Sequence, residues 1–103
     1  MSSLLIELAF FDKDMLLCRG GVRCGLAKAV EHLDGVGGHQ FELSSQFEEP
    51  ACPVEIACRR NGTLLYEAAL RVGVHTSDDW ESVELGNVHT LTFRCREEDE
   101  SRA

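Results

Sequence analysis

The chain has 103 residues, enough for one domain that buries a sizeable core without needing a metal or a disulfide. Eighteen acids against ten bases give a net charge of -8, which argues against nucleic acid or an anionic membrane surface as the main partner and favours basic partners or plain solubility. Eight of the ten bases are arginine; only Lys13 and Lys28 are lysine.

Residues 3–11, SLLIELAFF, predict a strand. Leu4, Ile6, Leu8 and Phe10 share one apolar face, and the other face is mixed, so the strand needs cover on both sides. The segment has no basic leader and Glu7 interrupts it, which separates it from a signal peptide. No apolar run approaches the ~20 residues that a membrane-spanning helix needs. The expected location is therefore cytoplasmic, and reducing. Asp12-Lys13-Asp14 is a polar turn that lacks the later ligands of a calcium loop. Met15 to Cys18 returns as a shorter strand.

Val22, Leu26, Ala29, Val30 and Leu33 recur at three- and four-residue spacing and predict an amphipathic helix over about residues 22–34, capped near Gly35. The glycines at 35, 37 and 38 follow this helix, so they lack the strand-to-helix geometry of a phosphate loop. Residues 39–47 read as a strand with one wet face. Cys52 to His75 reads as a long β-hairpin around Asn61-Gly62, whose residues both accept positive φ. Its apolar faces make it the expected centre of the sheet. The sequon at Asn61 is read as this turn. Thr76 to Asp79 carries a capping signal, Glu81–Leu85 is a strand, and Gly86-Asn87 is a second tight turn. Val88–Cys95 is the last strand, with His89, Leu91, Phe93 and Cys95 on one face. The acids from Glu97 onward read as a disordered tail, residues 97–103, after a single domain at 1–96.

The expected fold is α+β: one mostly antiparallel sheet of six or seven strands, flat or curled toward a half-barrel, with one helix packed on a face. Such a helix cannot roof the whole sheet, which suggests self-association or a protein partner. Arg59, Arg60, Trp80 and His75 are the candidate binding residues, because arginine and tryptophan concentrate at interface hot spots.

Five cysteines invite a second reading, a thiol redox or metal-dependent switch using Cys18 and Cys24, with Cys24 activated at the helix start. Cys58 and Cys95 lie on apolar strand faces and read as core. Cys52 and Cys58, six apart on a strand, are about 20 Å from each other and cannot share a metal. Cys52-Pro53 ahead of a hairpin, after a strand, a cysteine-bearing loop and a helix, resembles the order of thioredoxin-like domains. The chain has no Cys-x-x-Cys and no final helix, and it is not assigned to them. His32, His39, His75 and His89 suggest no converging metal set. Neither a catalytic constellation nor a cofactor is expected.

Overall fold

The computed structural model describes residues 2–48, 51–73 and 79–99. Eight strands follow one another: β1 (Ser2–Asp12), β2 (Met15–Cys24), β3 (Ala29–Asp34), β4 (His39–Ser45), β5 (Ala51–Arg60), β6 (Thr63–Gly73), β7 (Glu81–Leu85) and β8 (His89–Asp99). They form two separate four-stranded sheets, in the orders β2-β1-β8-β7 and β3-β4-β5-β6. Every described pairing is antiparallel.

The α+β expectation is therefore wrong. Among the described residues there is no α-helix, only a single 3-10 turn at Val36–Gly38, and no helix long and apolar enough to cross a membrane. The sheets do not join into a half-barrel; they cover one another. Ile6, Leu8, Phe10, Val22 and Leu91 on one inner face meet Phe41, Leu43, Val54 and Ile56 on the other, all almost fully buried. Phe10 and Phe41 stack across the interface at 4.0 Å between ring centres. This second layer is what the apolar first strand required, so the lack of cover no longer calls for a partner.

The predicted helix fails for a specific reason. Residues 22–34 are two strands joined by a turn. Val22 and Cys24 alternate inward at the end of β2, and Ala29 and Leu33 do so in β3. Leu26, on the turn between them, is 86% exposed. Two runs of period two, offset by a short turn, imitate a spacing of 3.6. β2 runs through Gly20 without interruption. That glycine pairs with Leu8, and a Cβ there would stand 2.7 Å from Leu33 Cδ1, so the bare backbone lets β3 pack closely.

The hairpin is present as predicted, with positive φ at Asn61 and Gly62. It does not sit at a centre: β5 is internal, but β6 is an edge. The Asn61 amide also donates to the Gly38 carbonyl, tying the hairpin tip to the 3-10 turn. Gly86 and Asn87 form the second turn, again with both φ positive. β8 runs to Asp99, three residues into the stretch expected as a tail. The predicted capping segment lies largely outside the described residues.

Candidate functional site

Two places gather chemistry-bearing side chains: one end of the core, and the outer face of the first sheet.

Inside, β6 and β8 bring the Tyr66 hydroxyl and His89 Nδ1 to 2.9 Å. Tyr66 also hydrogen-bonds the Cys58 sulfur. His39 stands edge-on to His89, with ring centres 5.0 Å apart, and its Nδ1–H donates to the Val36 carbonyl at 2.7 Å. All four side chains are buried. Burial favours every neutral form. It raises the Cys58 thiol, with the Tyr66 hydrogen bond acting weakly against it. Burial and then Cys58 push the Tyr66 phenol up. Burial and then His39 lower His89, against a smaller opposing pull from Asp12. His89 Nε2 is buried with no hydrogen-bond partner among the described residues. A neutral tyrosine, neutral thiol and neutral histidine sealed between sheets are built to fix packing. They lack both the charge and the access that nucleophilic catalysis requires.

The cysteines pair differently from the expected Cys18/Cys24 couple. Cys24, the proposed reactive thiol, is bonded to Cys52, which joins β2 of one sheet to β5 of the other with Cα atoms 6.3 Å apart. Cys18 sits six residues back along β2, opposite Phe10, and is free. Burial, then Cys58 and Asp34, push its thiol up to about 11, so it is no activated nucleophile. Cys58 and Cys95 are free and buried, as read from their strand faces. Among the described residues, no group of three or more His, Cys, Asp or Glu side chains could hold a metal ion.

Outside, register builds a different surface. Leu5, Glu7, Ala9 and Phe11 of β1 point away from the core. Across from them β2 sets Arg23, Gly21, Arg19 and Leu16, and β8 sets Arg96, Arg94, Thr92 and Thr90. Trp80, just before β7, lies across this face. It lines one cleft with Leu5, Glu7, Arg19 and Gly21, and another with Ala9, Phe11, Leu16 and Thr92. The Arg94 guanidinium stands 4.5 Å from the Trp80 ring centre, a cation–π contact. Arg94 Nε and Arg96 Nη1 donate to Glu7 Oε1 at 3.2 and 3.3 Å. Partial burial works against ionising Glu7, but the two arginines outweigh it and hold its carboxyl below the usual range.

Of the predicted binding residues, Trp80 belongs to this face. Arg59 and Arg60 do not: they are exposed at the end of β5, in the other sheet. His75 lies outside the described residues. Sequence reasoning missed Arg19, Arg94 and Arg96. Their signal was visible, since Arg94 and Arg96 alternate with the apolar Phe93 and Cys95. Comparison with known families, curated proteins and solved structures finds no match for this chain.

Proposed function

We propose that this protein is a non-enzymatic binding module whose working surface is the outer face of the β2-β1-β8-β7 sheet, and that it docks an acidic stretch of a protein partner. One observation carries the reading. On a chain of net charge -8, this face collects Arg19, Arg23, Arg94 and Arg96 against three carboxylate positions in register among the described residues, Glu7, Glu84 and Glu98, around Trp80 and Phe11. Overall charge pointed to a basic partner, but binding reads local charge. Arg19 has no ion-pair partner among the described residues and lines both clefts beside Trp80. A flat, half-exposed tryptophan flanked by arginines fits the composition of an interface hot spot.

Trp80 is the only tryptophan, so it reports on its own surface. Titration with an acidic peptide containing spaced aromatics should shift Trp80 emission saturably, and added salt should weaken the binding. Arg19→Glu should abolish the shift. An equal response to a basic peptide of the same length, or no response to either, would refute the reading.

The disulfide supports folding in an oxidising compartment over the cytoplasm expected from the sequence. Cells lysed and denatured in the presence of an alkylating agent, without reductant, should show three of the five cysteines alkylated. Five would restore the reducing location.

A further inference from the structure

The second sheet has an edge with its own complementarity, distinct from the tryptophan face. Among the described residues β6 pairs only with β5. Its other side presents the backbone donors and acceptors of alternate residues along eleven residues, the kind of edge that invites another strand. The remaining edges differ: β7 has five residues, β3 has six, and β2 is flanked by β3 and the 3-10 turn. β6 holds no proline, the residue that commonly blunts such an edge. It carries two charges, Glu67 and Arg71, both outward, opposite Ala57 and Pro53 of β5.

We infer that β6 is the dimer edge of this protein: two copies pair their β6 strands antiparallel about a twofold axis at Ala69, making one continuous eight-stranded sheet. The charges select the register. In an antiparallel homodimer, paired residue numbers sum to a constant. A centre at Ala69 sets Glu67 of each copy directly across from Arg71 of the other, twice over. The same register places Ala68 opposite Leu70 and Tyr66 opposite Val72 on the inner side, all buried or half-buried and continuous with the core. A centre at Glu67 or at Arg71 would instead oppose like charges, which destabilises a cross-strand pair. A centre at Ala68 or Leu70 leaves both charges facing apolar residues or glycine. An isologous contact of this kind closes on itself, so it yields a dimer and no filament.

The test uses the full chain. Sedimentation should give a concentration-dependent dimer. Glu67→Arg and Arg71→Glu alone should each weaken it about tenfold or more, and the double exchange should restore it. Both side chains are exposed, so the monomer fold tolerates the changes. Under mild oxidation Ala69→Cys should give a covalent dimer, since residues facing each other across strands lie within disulfide reach. Leu65→Cys, also exposed, should not, because its two copies would be about 27 Å apart in this register. A strict monomer at high concentration, or a dimer indifferent to charge reversal and exchange, overturns the inference. So does cross-linking through Leu65→Cys as fast as through Ala69→Cys. Trp80→Ala should leave the dimer intact, which separates this edge from the peptide-binding face.

Discussion

At one end of the core Cys24 and Cys52 join the sheets by a covalent bond; about 20 Å further along β5, Cys58 meets Tyr66, His89 and His39 through hydrogen bonds and ring contacts. Both ends are buried and both link β5 to a neighbouring layer or strand. They answer to different conditions. The covalent end responds to reductant and is blind to proton concentration. The hydrogen-bonded end is untouched by reductant but depends on three groups staying neutral. Between them Phe10 and Phe41 stack, so the middle of the core is plain apolar packing. The contrast shows that cysteine count says little about role: Cys52 and Cys58 share a strand and a face, and their partners alone set their chemistry.

The comparison is tested most severely at the covalent end. The bond closes a 28-residue separation, for which the chain-entropy account gives ~3–4 kcal/mol. Urea denaturation with and without reductant should differ by that amount, and an unmoved midpoint would make the bond incidental. The next effect belongs to the other end. Tyr66→Phe leaves His89 Nδ1 without its partner and should cost about 1–3 kcal/mol with the disulfide intact.

A smaller effect follows from pH. Folding lowers the His89 pKa below its ordinary value, so between the folded value and about 6.5 the unfolded chain binds the extra proton. Stability should be fully present above about pH 6.5 and fall as pH drops through the folded value. His39, Asp12 and Tyr66 face the ring, and His89→Gln should flatten this limb in a melting series. At the alkaline side the sign reverses. The Cys18 thiol, raised from 9.0 to about 11, costs stability as pH climbs through that range. The smallest change in stability should come from outside the core. Trp80→Ala removes one surface cation–π contact and should cost about 0.5–1 kcal/mol, while abolishing the response to acidic peptide as judged by arginine-dependent pull-down.

Much of the local structure was legible. The Asn61-Gly62 and Gly86-Asn87 turns are where the dipeptides put them, because positive φ is a property of the residues themselves. The inward face of β8 was read correctly from His89, Leu91, Phe93 and Cys95, since alternation survives any sheet order. The helix was misread because Val22, Leu26, Ala29 and Leu33 satisfy two periods at once, and only packing chooses between them. Leu33 lying on Gly20 is that choice, and it is a contact between strands thirteen residues apart. Of the candidate binding residues, Trp80, which the fold puts on the outer face of the first sheet, was singled out by composition alone. The arginines around it were not, because Arg19 and Arg94 meet only through β1, which stands between their strands.

The sequence by itself determined the tight turns at Asp12-Lys13-Asp14, Asn61-Gly62 and Gly86-Asn87 and which side chains of β1, β5 and β8 face inward. Both depend on neighbours within a few residues, and backbone sterics and period-two alternation act at that range. The tertiary structure alone decided that there are two sheets, that Cys24 bonds Cys52, and that four arginines of an acidic chain share one face. Each of these joins residues far apart in the chain, and no local preference encodes which distant strand will lie beside which.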